Sequence, residues 1–188
     1  MKLFETNRLI LRNWLDRDRT LFRRINADET VMEFFPFRRE AAQADKFMKL
    51  IAAGIEANGF GFAAIESKAT AETVGFAGIH LTDGIPNLPD GSIEIGWRLA
   101  PEFWGKGFAS EAARGWLVHG FGPLGLNRIV SFAVSSNTRS TAVMERIGLI
   151  RRVELDFDHP KVPDTHPHLK RHSFYDLSAD EYALQKAN

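Results

Sequence analysis

The stretch that most constrains this chain runs from Ser92 to Gly120 and reads as strand, glycine turn, helix. In S-I-E-I-G-W-R-L-A-P, the residues Ile93, Ile95, Trp97 and Leu99 alternate with Ser92, Glu94, Gly96 and Arg98. A period of two marks a strand. Pro101 has no N–H to give a ladder, so regular pairing is expected to stop there. E-F-W-G-K-G-F-A-S-E-A-A follows, with Gly105 and Gly107 on either side of Lys106. Beyond the turn, Phe108, Ala112, Trp116 and Leu117 share one helical face, with Ala109 and Ala113 beside them.

The turn has chemistry to offer. The first N–H groups of a helix have no partner within it and sit at the positive end of a dipole worth about half a charge. Glycines let successive N–H groups converge and let a ligand approach the backbone. A phosphate fits such a place, and Lys106 would add a mobile positive charge. Ordinary strand-to-helix connections use the same glycines, so the local pattern alone leaves both readings open. It is neither the phosphate loop, which needs four residues between its glycines and a G-K-[ST] end, nor G-x-G-x-x-G. Gly59, Gly61 and Ala64 spell G-x-G-x-x-A, but they leave a helix and enter a strand, the reverse of the dinucleotide-binding order.

Composition narrows the classes. A chain of 188 residues fits one domain, 1–188, and can bury about 70% of its unfolded surface without staples. The 24 basic and 24 acidic residues cancel, so nothing points to nucleic acid. Cysteine is absent, which excludes disulfides, thiolate metal sites and a cysteine nucleophile and suits a reducing cytosol. The first residues lack the apolar run of a signal peptide, and no stretch approaches ~20 apolar residues, so a cytoplasmic protein without membrane contact is expected. Fifteen Phe and four Trp suffice for a core and also for a homodimer patch.

Along the chain, Arg8 to Trp14 alternates as a first strand, with Leu9 and Leu11 facing one way and Arg8, Ile10 and Arg12 the other. Asp16 is placed to cap a helix running to about Asn26. After the break at Phe34-Phe35-Pro36-Phe37, a helix is expected from about Arg39 to Asn58, stopped at Gly59. Phe60 to Glu66 and Thr73 to Leu81 read as strands, and Thr82 to Gly91 as a turn-rich loop. Arg128 to Val134 reads as a buried strand, followed by a helix from about Thr138 to Ile147 ending at Gly148. Leu149 to Leu155 and Arg171 to Leu177 read as strands around an irregular Asp156 to Lys170, and Ser178 with Glu181 forms a capping box for a last helix. The order β-α-α-β-β-β-α-β-α-β-β-α gives a mixed sheet with helices on both sides.

W-G-K-G-F-A-S-E-A after E-I-G-W-R-L resembles the acetyl-CoA diphosphate motif, [RQ]-x-x-G-x-[GA], of the GNAT superfamily of N-acetyltransferases. Glu102 stands where that motif begins with Arg or Gln. The form with W-G-K-G after E-I-G-[YW] is similar to the RimJ/RimL branch, and the resemblance spans roughly Thr6 to Leu177. A second motif, N-x-x-[AS] followed by a G-F-like pair, is matched by Asn137, Ser140 and Gly148, with Leu149 for the Phe. Asn137 would equally serve as a plain N-cap. The resemblance implies an α+β fold of GNAT type, its mixed, mostly antiparallel sheet splayed at a cofactor cleft. It implies acetyl-CoA as co-substrate and a primary amine as acceptor. The diphosphate would lie on Gly105, Lys106, Gly107, Phe108, Ala109 and Ser110, with Trp104 beside them. Trp97, Arg98 and Leu99 would offer backbone groups to the pantetheine arm, one N–H polarising the thioester carbonyl. Asn137 and Ser140 would meet the arm near the sulfur.

For catalysis, many GNATs carry a Tyr that protonates the leaving thiolate; Met144 stands there, and Ser140 is the substitute the resemblance implies. Ser140 would equally back-bond to its own helix. An amine near pKa 10.4 is neutral in about one molecule in a few thousand at pH 7, and one near 8 in roughly a tenth, so one carboxylate acting through water suffices for the latter. Glu94 is the candidate base, with Glu33 as fallback; a salt-bridged strand residue beside Arg98 is the alternative for Glu94. His159, His166, His168 and His172 lie among Asp156, Asp158 and Asp164, but the spacing is loose and no metal is expected. A loop over the acceptor groove accounts for that segment. The alternative function is a non-catalytic acyl-CoA-binding regulatory or interaction module.

Overall fold

The computed structural model describes residues 1–187, which fall into two compact units. The first unit holds Met1–His80 and Gly96–Trp116; the second holds Leu81–Ile95 and the chain from Leu117 onward.

In the first unit, β1 (Lys2–Glu5), β2 (Leu9–Arg12), β3 (Phe62–Ser67) and β4 (Thr73–Thr82) pair antiparallel in that order. The later half of β5 (Ser92–Leu99) follows β4, and Ala100 donates its N–H to Val74 O at 3.0 Å. Leu9 and Leu11 are fully buried, as their alternation requires. β4 is buried on both faces from Val74 to Ile79, so it reads as a continuous apolar run. Its glycines allow close approach: a Cβ on Gly75 would lie 2.3 Å from Arg98 O, and one on Gly78 1.9 Å from Gly61 O.

Helix α1 (Arg19–Ala27) and helix α2 (Ala41–Asn58) complete this unit with the start of α3 (Phe108–Phe121). Gly59 closes α2 at φ 76°, donating to Ile55 O at 2.9 Å. Trp14 and Phe22 meet edge to face at 4.7 Å, and Trp14 Nε1 donates to Phe62 O at 2.8 Å. Trp116 is fully buried, donates to Ala77 O at 2.9 Å and takes the edge of Phe4 at 5.0 Å.

Two expectations are corrected here, and one strand is added. Lys2–Glu5 forms a strand that the short K-L-F-E pattern did not announce, and the expected strand from Arg8 to Trp14 is confined to Leu9–Arg12. Arg12 faces away from Leu9 and Leu11 yet is buried, because Asp18 takes two of its donors at 2.7 and 2.9 Å and Glu66 takes Nε at 2.7 Å. Asp16 caps nothing: Asp16–Asp18 is a single 3-10 turn, and Asp18 accepts the Leu15 N–H at 2.8 Å ahead of α1.

In the second unit, the first half of β5 pairs in parallel with β6 (Arg128–Val134) at Glu94↔Val130. β6 and β9 (Arg171–Ser178) pair antiparallel from Arg128↔Ser178 to Val134↔His172. Ile85, Val130, Phe157 and Phe174 form the core beneath Leu88, Phe132 and Leu155. Helix α4 (Thr138–Arg146) follows β6, and α5 (Ala179–Ala187) opens on the expected capping box: Ser178 N–H donates to Glu181 at 2.9 Å and Glu181 N–H to Ser178 Oγ at 3.2 Å. The expected strand Leu149 to Leu155 shrinks to β7 (Ile150–Arg151) followed by a 3-10 turn at Val153–Leu155. The segment expected to be irregular contributes β8 (Phe157–Asp158), which pairs with β9. The sheet is thus mixed, with β5–β6 parallel and β6–β9 antiparallel. No helix among the described residues is long and apolar enough to cross a membrane.

Candidate functional site

The glycine turn is built from the end of β5 outward. Pro101–Phe103 makes one 3-10 turn, with Phe103 N–H on Ala100 O and Trp104 N–H on Pro101 O, both at 3.0 Å. Trp104 then folds back and donates Nε1–H to Leu99 O at 2.8 Å, fixing the turn to the strand. Gly105 and Gly107 take φ of 72° and 79°, a region that favours glycine. Gly107 O accepts the first helical bond of α3, from Glu111 N–H at 3.0 Å. Among the described residues, no acceptor takes the N–H of Gly105, Lys106, Gly107, Phe108 or Ala109. Five adjacent main-chain donors therefore stand at the positive end of a 14-residue helix, the arrangement that binds an anion.

Arg8, which sequence reasoning treated only as a strand residue, belongs to this place. Its Nη1 donates to Lys106 O at 3.0 Å, its guanidinium lies 4.8 Å from the Phe108 ring centre, and its Nη2 is 3.4 Å from where a Cβ on Gly107 would stand. Glu111 anchors it, taking Arg8 Nε–H at 2.6 Å, Arg8 N–H at 2.7 Å and the Thr6 hydroxyl at 2.6 Å. Burial works to raise the Glu111 carboxyl, but the bonds from Thr6 and Arg8 outweigh it and hold the group below its ordinary value. Glu102, at the position where the motif begins with Arg or Gln, pairs instead with Arg24. Lys106 carries its ammonium 5.3 Å from the Phe103 ring centre. The only hint in the sequence that Arg8 joins the turn is its charge; its partners lie about a hundred positions away.

The second motif lies in the second unit. Asn137 caps α4, its Oδ1 accepting Ser140 N–H at 3.1 Å. Ser140 makes no back-bond: among the described residues its hydroxyl has no protein partner, and the residue is partly exposed. Met144 is buried.

Glu94, partly buried on β5, shares the second unit with two histidines. His172 Nδ1 donates to Lys170 O at 2.8 Å, which leaves Nε2 with its lone pair. Burial lowers the His172 pKa most, while the Lys170 carbonyl and the charges of Glu94 and Asp158 work against it. Burial, then the charges of His172 and Lys161, push His159 down to about 4. The two rings lie 4.8 Å apart in an aromatic cluster with Phe132 and Phe157. Among the described residues no group of three or more His, Asp and Glu side chains could hold a metal. Trp97 is only partly buried. Arg98 turns its guanidinium to Asn26 rather than to an acid.

Residues 8–150 match the family model of the acetyltransferase (GNAT) domain. The uncharacterized N-acetyltransferase p20 of Bacillus licheniformis is 30% identical over 162 residues, covering 82% of this chain and 88% of that protein. A solved acetyltransferase of the GNAT family from Bacillus anthracis superposes with a TM-score of 0.79 at 25% identity, over 96% of this chain and 100% of that one. RimL, a ribosomal-protein alpha-N-acetyltransferase solved with coenzyme A, shares the fold at a TM-score of 0.74 and 14% identity, over 96% and 99% of the two chains.

Proposed function

Since the chain belongs to the GNAT acetyltransferase family, we propose that it moves an acetyl group from acetyl-CoA to a primary amine by direct transfer. The observation that carries the reading is the row of unused donors from Gly105 to Ala109 at the start of α3, which supports a diphosphate cradle. Ser110 and Trp104 flank it, Lys106 and Arg8 supply positive charge, and Glu111 holds Arg8 in place.

In the proposed reaction the neutral amine attacks the thioester carbonyl, whose oxygen the backbone near Trp97, Arg98 and Leu99 polarises. The amine's surplus proton leaves through water to Glu94. The C–S bond breaks, and the thiolate takes a proton from Ser140 or from water; Asn137 supports the arm beside Ser140. Holding both substrates together supplies much of the rate. The resemblance to RimL and the similarity to p20 support an amine acceptor.

Calorimetric titration with acetyl-CoA tests this: saturable one-site binding is expected, and its absence would end the reading. The buried Met144, where many relatives carry Tyr, favours one rival, an acyl-CoA-binding module without turnover. Release of coenzyme A with any one amine eliminates that rival.

A further inference from the structure

Arg98 presents an anomaly within the first unit. Its Nη1 donates to Asn26 Oδ1 at 2.6 Å, and its guanidinium lies 4.4 Å from the Phe35 ring centre and 5.2 Å from that of Phe76. Its Nε is buried without an acceptor. Arg39 donates to the same Asn26 oxygen at 3.3 Å, with its guanidinium against Phe37 and Phe47. Two cations thus converge on one neutral oxygen of a fully buried Asn26. Among the described residues neither has a carboxylate partner.

A buried arginine ordinarily pairs with acids, as Arg12 does with Asp18 and Glu66; Arg98 and Arg39 are partly buried and are set against aromatic rings instead. Stacking on aromatic rings keeps the charge but gives the N–H groups nothing to bind. Each guanidinium holds five donors in a flat fork suited to a carboxylate, and each spends one of them on Asn26. Burial and the charge of Arg39 push Arg98 down to about 9, so it stays charged at neutral pH and an arriving anion would relieve the repulsion.

We propose that Arg98 and Arg39 form the anion-recognition end of the acceptor site, and that the acceptor is a small primary amine carrying a carboxylate. The proposal rests on the N-acetyltransferase reading. Arg98 directly precedes Leu99, whose backbone that reading sets beside the thioester, so the pair lies on the strand that would hold the reacting group. Phe35 and Phe37, the rings against Arg98 and Arg39, are 37% and 43% exposed, so the surface beside the pair is apolar. A polyamine would meet two positive charges there.

The test uses the full chain with coenzyme A bound, that binding being measured first. N-acetyl amino acids and the matching N-acetyl amino acid amides serve as product probes in melting and calorimetry. At least one acid should bind tenfold or more tighter than its amide, and Arg98→Gln should abolish the preference. Equal binding of acids and amides, no binding of any acid, or a preference that survives Arg98→Gln would overturn the proposal. Should Arg98→Gln fail to fold, Arg39→Gln should weaken the same preference, and the wild-type comparison decides by itself. Failure of coenzyme A to bind sinks the underlying reading; bound coenzyme A without acid preference sinks this proposal alone.

Discussion

Replacing Gly107 by valine separates the cradle from the fold. Gly107 sits at φ 79°, where an L-residue costs about 1–2 kcal/mol. The new Cβ would lie 3.4 Å from Arg8 Nη2, an ordinary contact with a long side chain, so the backbone penalty dominates. For a chain of this size that lowers Tm by roughly 2–8 °C. Gly59→Val is the matched control: φ is 76° and nothing lies within 4 Å of its Cβ. Both variants should lose similar stability. Only Gly107→Val should also disturb the N–H groups offered to the diphosphate, and misaligning one charge-assisted bond costs about 1.5–3 kcal/mol, or roughly 10- to 150-fold in Kd. Calorimetry with acetyl-CoA reads the difference. An affinity for Gly107→Val within threefold of wild type, or an equal loss in Gly59→Val, would refute the cradle.

Asp18→Asn should be among the most destabilising single changes, because it strips Arg12 of a buried partner. The loss of about 3–5 kcal/mol, moderated by Glu66, should lower Tm by roughly 6–20 °C, and a drop under 2 °C would contradict it. Acid stability follows from carboxyls held below their ordinary values. Burial opposes the shift at Asp18, Glu111 and Asp156, but their hydrogen bonds to Arg12 and Thr73, to Thr6 and Arg8, and to Arg151 win. Their contribution is whole above the unfolded carboxylate values near pH 4 and is lost as pH falls through the lower folded ones. Denaturant melts should be flat in this component from pH 6 to about 5 and fall steeply below 4; a fall complete by pH 5 would assign acid sensitivity elsewhere. Glu94→Gln should lower kcat by roughly 100-fold, and less for weakly basic amines, in a steady-state series across amine pKa. An unchanged kcat would remove Glu94 as the base. Ser140→Ala should cost less than about tenfold in the same assay, since water can replace its proton.

Most of the architecture is legible because period and punctuation agree. The alternation of Ser92 to Leu99, the stop at Pro101 and the capping box at Ser178 and Glu181 each announce a boundary that the structure keeps. Illegible features depend on partners distant in sequence. β1 is four residues long and gains its place through Phe4 against Trp116. Asp16 reads as a cap, but α1 begins only at Arg19, and the Asp18 carboxylate between them is taken by Arg12 and Thr73. Leu149 to Leu155 has the composition of a strand, but the chain turns into a 3-10 turn at Val153–Leu155, while the Arg152 side chain is held by Asp176 and Glu181. At the candidate site the glycine turn was readable, whereas Arg8 beside it and the unpaired Arg98 were not. A charge in a strand pattern says nothing of whether an acid will meet it.

Thiol release from acetyl-CoA, measured against a broad panel of primary amines, bears most directly on whether this chain is an acetyltransferase at work. Saturable release with at least one amine, dependent on enzyme concentration and matched mole for mole by acetylated product, is expected. Tight acetyl-CoA binding with no release above background for any amine, or no binding at all, would contradict it.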